Sequence, residues 1–270
     1  MSRAGRCSLD RVFVKLGGSF ITRKSEADSL KESSVTLAAR MLRKALEARP
    51  VSLVLGHGAG SYGHILAMKY GAVQGVHRRH GWEALYRIRE SMTSMNLRFV
   101  RCCGKGGLHP VTVSPFAVAL ARGGKVRRLD VGNIRELLRR GQIPLLHGDV
   151  VPDTERGFTI ASTEALLTAL TGHMRFDRVV MVSDTEGVLD GEGRTIERID
   201  GRNFGAVRRF LKGSGSPDVT GGMRKKVEHL FRLVSSGRVS EARIIRCEGR
   251  PRNLADAVLG TGGGGTLIRK

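Results

Sequence analysis

Val12-Phe13-Val14-Lys15-Leu16-Gly17-Gly18-Ser19 sets a short β-branched apolar run against a lysine, two glycines and a serine. The same order recurs where Val51 to Leu55 runs into Gly56-His57-Gly58-Ala59-Gly60-Ser61-Tyr62-Gly63-His64. Each segment reads as a buried strand feeding a glycine loop. Between them Val35, Ala38, Ala39, Leu42, Ala45 and Leu46 repeat at helical spacing, and Pro50 closes that helix. Downstream the alternation continues. Further strands are predicted at Val111 to Val113, Ile143 to His147, Arg178 to Ser183, Ala242 to Arg246 and Thr266 to Ile268. Helices are predicted from Trp82 to Phe99, around Ile134 to Arg140, from Ser162 to Leu170, from Met223 to Val234 and from Leu254 to Leu259. Strands that alternate with helices, and that are apolar on both faces, predict an α/β fold: a three-layer αβα sandwich around a mainly parallel central sheet. Asp184 to Arg202 and Lys212 to Gly222 read as loops. No linker or repeat divides the chain, so residues 1–270 are expected to form one domain.

The composition excludes several classes. With 40% hydrophobic and 26% charged residues the chain is neither disordered nor fibrous. No apolar run approaches the roughly 20 residues that span a bilayer, and Met1 to Asp10 lacks an apolar signal core. Cys7, Cys102, Cys103 and Cys247 form no CxxC pair, which excludes a disulfide framework and a cysteine metal site. A cytoplasmic protein with no membrane partner is therefore expected. The net charge of +21 points to an anionic partner: a phosphorylated small molecule, a nucleic acid or a membrane surface. With 5% aromatics and no nucleic-acid motif, no specific nucleic acid is expected, although a basic nucleic-acid-binding protein is the non-enzymatic alternative.

The chemistry lies in the loops, because open parallel sheets bind ligands beyond the carboxyl ends of their strands. Lys15 beside Gly17-Gly18-Ser19 combines a cation with exposed amides, a pairing that favours phosphate. The spacing is neither GxxxxGK[ST] nor GxGxxG, and a Gly-Gly turn also occurs as plain structure. Four glycines between Gly56 and Gly63 suggest a loop that admits something close to its backbone at a helix start. His57 and His64 frame that loop and read equally well as packed residues or as ligand contacts. A third turn, Asp218-Val219-Thr220-Gly221-Gly222-Met223-Arg224-Lys225-Lys226, opens a helix with lysines one turn inside. Three anion-seeking loops suit a polyphosphate plus a second phosphate, hence phosphoryl transfer.

KLGGS at 15–19, GHGAGSYGH at 56–64, HGDVV at 147–151 and DVTGGM at 218–223 together resemble the isopentenyl phosphate kinases of the amino acid kinase superfamily. The resemblance covers nearly the whole chain. GxGSYGH is its specific part, and the spacing from Lys15 to Lys24 also matches. It implies transfer of the ATP γ-phosphoryl group to isopentenyl phosphate, giving isopentenyl diphosphate in an alternative mevalonate route. It implies Mg²⁺ with the ATP, a homodimer, an acceptor lobe at about 1–172 and a nucleotide lobe at about 173–270. By resemblance Lys15, Gly17, Gly18 and Ser19 hold ATP phosphates and Lys24 stabilises the transferring group. Ala59, Gly157 and His64 serve the acceptor phosphate. Gly60, Asp184, Gly222 and Lys226 belong to the nucleotide side, with family spacing choosing Lys226 over Lys225. No metal ligand is assigned to the chain. Where the family reads Ser-Gly-Asp this chain has Ser162-Thr163-Glu164, so Glu164 takes the lysine-orienting place with one more methylene. Asp184-Thr185-Glu186-Gly187-Val188-Leu189 likewise stands for Asp-Val-Asp-Gly-Val-Tyr. Met68, Tyr70, Val73 and Val76, or the helix bearing Met92 and Met95, are the candidates for an apolar tail pocket. A superfamily kinase with another small acceptor, such as a fosfomycin-type kinase, shares much of this pattern.

Overall fold

The computed structural model describes residues 9–23, 26, 28–72, 75–76, 81–211, 222–247 and 252–270, the His64 side chain excepted. In chain order the elements are β1 (Arg11–Leu16), α1 (Gly18–Ile21), α2 (Glu32–Ala48), β2 (Ser52–His57), α3 (Gly60–Lys69), α4 (Glu83–Lys105), β3 (Pro110–Thr112) and α5 (Pro115–Val118). They continue with β4 (Ala119–Arg122), β5 (Lys125–Leu129), α6 (Gly132–Arg139), β6 (Ile143–His147), β7 (Asp149–Asp153), β8 (Gly157–Ala161) and α7 (Thr163–Thr171). The last are β9 (Phe176–Ser183), β10 (Arg198–Ile199), α8 (Phe204–Phe210), α9 (Gly222–Ser235), β11 (Val239–Arg246), α10 (Asn253–Leu259) and β12 (Thr266–Arg269).

The main sheet runs β10-β12-β11-β9-β1-β2-β6-β3 and is parallel except between β11 and β12. The apolar runs are explained by its two covered faces. Val12, Val14 and Leu16 point into one core with Val35, Leu42, Ile88, Phe99 and Leu254 from α2, α4 and α10. Phe13 points the other way, into a core with Ile134, Leu166 and Leu230 from α6, α7 and α9. Phe13 meets Phe176 edge to face at 5.9 Å. This is the three-layer sandwich expected, and each predicted strand and helix is present.

A second sheet, β5-β4-β7-β8, was not expected. Its strands are short and of mixed character: β5 reads KVRRL with only Leu129 buried, while β4, β7 and β8 bury Ala119, Ala121, Val150, Val151, Phe158 and Ala161. Tertiary hydrogen bonds add to that packing. The Asp153 carboxylate accepts from the backbone N–H groups of Gly123, Gly124, Glu155 and Arg156, which joins the tips of the two hairpins. The stretch read as loop between Asp184 and Arg202 contains β10, and the loop expected from Lys212 to Gly222 is preceded by α8, where Phe204 stacks on Phe231 of α9 at 3.7 Å.

Met92 and Met95 of α4 are both buried in the core, with Met92 Sδ 3.2 Å from where a Cβ on Gly63 would lie. Of the other candidates for the tail pocket, Tyr70 is buried, Met68 and Val76 are exposed, and Val73 lies outside the described residues.

Candidate active site

The glycine loops meet at the carboxyl ends of four adjacent strands, β9, β1, β2 and β6. Backbone hydrogen bonds carry the sheet's order into them: Gly17 N–H donates to Val182 O at 2.9 Å, Gly58 N–H to Leu16 O at 3.0 Å, and Gly148 N–H to His57 O at 3.3 Å. The loops are also pressed against each other. A Cβ on Gly18 would lie 2.7 Å from the Gly60 Cα. Gly60 has φ +52°, and a Cβ there would lie 2.4 Å from the Thr22 side chain. This revises the reading of the glycines as room for a ligand, since much of that room is taken by the neighbouring loop. Thr22 ties the arrangement together, donating to Gly18 O at 2.9 Å and accepting from Ser61 N–H at 3.2 Å. Tyr62 of the same motif turns inward; its hydroxyl donates to Asp28 O at 2.7 Å.

The three residues of the Ser162-Thr163-Glu164 turn do separate jobs. Ser162 Oγ accepts from Ala165 N–H at 3.1 Å and caps α7. Thr163 Oγ1 donates to His57 O at 2.6 Å and pins the turn to β2. Glu164 forms an ion pair with Lys15, which is 6% exposed on β1. Burial alone would raise the Glu164 carboxyl, but the Lys15 ammonium beside it prevails and holds it at about 2. Glu164 is thus bonded to a lysine near the carboxyl end of β1.

On the other side of Lys15, Ser19 Oγ donates to Asp184 Oδ1 at 2.9 Å and Ser183 Oγ to the same oxygen at 3.2 Å. Lys226 Nζ donates to Ser183 Oγ at 3.4 Å. Hydrogen bonds therefore join Ser19, Asp184 and Lys226 although they are scattered along the chain. Gly222 is the first residue of α9, whose positive end lies at this cluster. Lys24, the His64 side chain and Asp218 to Gly221 lie outside the described residues.

Packing decides between the two readings of His57 and sets Gly157 apart from the glycine loops. His57 is fully buried, against Phe99 at 4.4 Å and stacked on His147 at 5.2 Å, with its Nε2 3.2 Å from Asn96 Oδ1. Burial keeps both imidazoles neutral, lowering His57 to about 4 and His147 to about 3. Of the two histidines framing the loop, His57 is thus a packed residue. Gly157 begins β8, while Ala161 at the other end of that strand borders Gly148, itself 3.7 Å from Ala59 N when given a Cβ. Four residues of strand separate the two ends, roughly 13 Å. Gly157 is packed instead beneath Val76 and Trp82.

The sequence reading missed one buried pair. Arg89 of α4 is bonded to Asp149 of the HGDVV segment and lies over the Phe116 ring at 4.8 Å. Burial pushes Asp149 up to about 6 against the opposing pull of Arg89. The acidic residue after His147-Gly148 was the available signal; its partner, 60 positions earlier, was not.

Amides, a helix start and lysines suit two anionic groups brought together. Among the described residues no three His, Cys, Asp or Glu side chains converge as a metal cage. A divalent cation here would be held largely by phosphate oxygens, as Mg²⁺ commonly is.

The amino acid kinase family model matches residues 10–246. The isopentenyl phosphate kinase of Haloferax volcanii is 33% identical over 222 residues, covering 82% of this chain and 88% of its own. That of Methanocaldococcus jannaschii is 29% identical, covering 80% and 84%. A crystal structure of isopentenyl phosphate kinase superposes with a TM-score of 0.79 at 26% identity, over 96% of this chain and 99% of that one.

Proposed function

The chain belongs to the amino acid kinase family and, within it, to the isopentenyl phosphate kinases; we propose that it transfers the γ-phosphoryl group of ATP to isopentenyl phosphate, giving isopentenyl diphosphate and ADP. One observation carries the reading: the Gly17-Gly18-Ser19 loop is packed directly on the Gly58–Gly60 loop, with Lys15 and Lys226 at its flanks. Two phosphate-seeking loops in contact place donor and acceptor side by side. An acceptor phosphate oxygen, already anionic, attacks the γ-phosphorus as the bond to the ADP oxygen breaks. No general base is required, and the protein's task is positioning and charge neutralisation.

In this reading Lys15 and the amides of Gly17, Gly18 and Ser19 hold ATP phosphates, and Glu164 orients Lys15. Lys24 and Lys226 neutralise the transferring group. Gly60, Asp184 and Gly222 line the nucleotide side, while Ala59 and His64 line the acceptor side. Gly157 contributes through the segment packed on it. Mg²⁺ bound with ATP would bridge its phosphate oxygens. The part before about residue 172 holds the acceptor and the remainder the nucleotide. A homodimer is supported by exposed Tyr86 and Leu97, three helical turns apart on one face of α4, and by exposed Val111 on β3 at the sheet's edge. The enzyme is read as cytoplasmic; among the described residues no helix is long and apolar enough to cross a membrane.

The test is an ADP-release assay with isopentenyl phosphate, fosfomycin, acetylglutamate and UMP as acceptors. Isopentenyl phosphate is expected to give the highest kcat/KM; turnover of another acceptor with none of isopentenyl phosphate would refute the assignment. Lys24→Ala and Lys226→Ala are each expected to lower kcat by about 10²–10³ with Tm unchanged, the scale of losing one charge-stabilising contact. Either variant with wild-type kcat would remove that lysine from the mechanism. His64→Ala is expected to lose about 1.5–3 kcal/mol toward the acceptor and little toward ATP, with His64→Gln intermediate because an amide also donates. Steady-state constants for both substrates separate these outcomes.

A further inference from the structure

A groove of about 920 Å³ lies between α2, the end of α4 and α10. Its size falls within the roughly 300–1,000 Å³ usual for small-molecule sites. The floor is apolar: Leu37, Met41 and Ala45 of α2 line it with Ala255 and Leu259 of α10. Met41 is fixed from below, its Sδ 3.3 Å from Cys247 Sγ. One wall is backbone. There α4 runs out into Gly106 and Gly107, where a Cβ would lie 2.6 Å from Ala39 Cβ and 2.8 Å from Arg43 Cδ respectively. The groove is apart from the glycine loops. α2 leaves them at Glu32 and leads to the start of β2, so Lys44 lies roughly 18 Å along the helix from its loop end.

The rim is cationic. Arg40, Arg43, Lys44, Lys105 and Arg252 stand around it with a single carboxylate, Asp256. Arg43 is paired with Glu47 and Lys105 with Glu32. Arg40, Lys44 and Arg252 are exposed and have no acidic partner among the described residues. Arg40 and Lys44 are one turn apart on α2, so their charges share a side of the groove. Cations gathered round a low-dielectric trough repel one another and raise the local attraction for an anion. An apolar floor under a cationic rim matches a molecule of the opposite build, an apolar chain with a polyanionic head. The floor extends along α2 from Leu37 to Ala48, roughly 16 Å, which suits an extended chain rather than a compact ring. The product of the proposed reaction is a diphosphate on a short apolar chain. Joining such units with loss of inorganic diphosphate gives longer chains that keep one diphosphate head. We propose that this groove is a second binding site, for a free long-chain isoprenoid diphosphate: the rim cations hold the head and the floor takes the chain. The choice of chain rests on the kinase reading above, whereas the amphipathic, anionic character of the ligand rests on the groove alone.

The experiment measures binding of geranylgeranyl diphosphate by equilibrium dialysis, below its micellar concentration. Wild type is compared with Arg40→Glu/Lys44→Glu in the groove and with Arg127→Glu/Arg128→Glu, an equal change of charge at exposed residues of β5. The groove variant is expected to bind at least tenfold more weakly than wild type and the β5 variant within threefold of it. Inorganic diphosphate, the head alone, is expected to bind wild type at least tenfold more weakly than the full ligand. Both variants are expected to keep wild-type Tm and kcat within twofold, because their residues lie off the glycine loops. Should charge reversal disturb α2, Arg40→Gln/Lys44→Gln replaces it, with a loss of at least threefold expected. No binding to wild type, equal affinity in wild type and groove variants, equal losses in the groove and β5 variants, or inorganic diphosphate bound as tightly as the full ligand would each overturn the proposal. Capture on phosphatidylglycerol vesicles, or binding of random RNA, without uptake of free geranylgeranyl diphosphate would overturn it too. Dialysis requires no turnover. Groove-dependent binding without turnover of isopentenyl phosphate would therefore fault the assigned acceptor and leave the site standing, whereas turnover without such binding would remove the site alone.

Discussion

Lys15→Met is expected to lower kcat by about 10²–10³ and to destabilise the fold by about 3–5 kcal/mol. The two losses have different origins. The first is the loss of a cation from the proposed phosphate site. The second arises because Glu164, on a neighbouring element, is left as a part-buried carboxylate without its counter-charge. The pair spans 149 residues of sequence, so breaking it also loosens the join between β1 and α7. A double variant separates the effects. Replacing a buried ion pair by apolar side chains of similar volume is often neutral or stabilising. Lys15→Met with Glu164→Met is therefore expected to recover most of the lost Tm while kcat stays low. Thermal unfolding and steady-state assays on the single and double variants check this. A single variant as stable as the double would show that Glu164 does not depend on Lys15.

Acidification from pH 6.5 toward pH 4 is expected to destabilise the protein by roughly 1.4 kcal/mol per pH unit, the value for one proton. His57 and His147 are held at about 4 and about 3 by burial, so their folded values lie below the ordinary 6.5. The unfolded chain therefore takes up protons below pH 6.5 that the folded chain refuses, and stability falls with pH. His229, also lowered by burial, acts in the same direction. Asp149 opposes them: raised to about 6, it binds a proton in the folded state before the unfolded chain does. Two imidazoles less one carboxyl leave about one proton near pH 5. Below pH 4.5 the ion-paired Glu164, held at about 2, adds to the loss. Urea unfolding across this range measures the slope. In a His57→Gln/His147→Gln variant the dependence between pH 4 and 6 is expected to flatten or reverse, because Asp149 then dominates. A wild-type midpoint unchanged from pH 6.5 to 4 would show that neither imidazole is held neutral.

Much of the site could be read from the sequence because it is local in the chain. Lys15 with Gly17, Gly18 and Ser19, and the Gly56–Gly63 loop, each lie within one strand–turn–helix unit, and Gly222 and Lys226 lie within one helix start, so a few neighbouring residues set the backbone in each. The sequence could not say what these groups do to one another. The glycines suggested space for a ligand, yet Gly18 and Gly60 chiefly make room for each other. His57 and His64 looked alike in the sequence, and only packing against Phe99 and His147 marks His57 as core.

The amino-acid order by itself determined the central sheet. β1, β2, β6, β9 and β11 are covered on both faces, so each carries a short apolar stretch, such as Val12, Phe13 and Val14 in β1 or Val179, Val180, Met181 and Val182 in β9. It also determined where the anion loops fall, because glycine pairs end those runs. Tertiary structure alone decided the second sheet, in which the charged β5 is joined to its neighbours and the Asp153 carboxylate ties the tips of the two hairpins together. It alone decided the pairing of Lys15 with Glu164, of Ser19 with Asp184 and of Arg89 with Asp149. The reason is physical. Burial leaves a periodic imprint on neighbouring residues, whereas a hydrogen bond or ion pair between distant residues leaves none until the chain has folded.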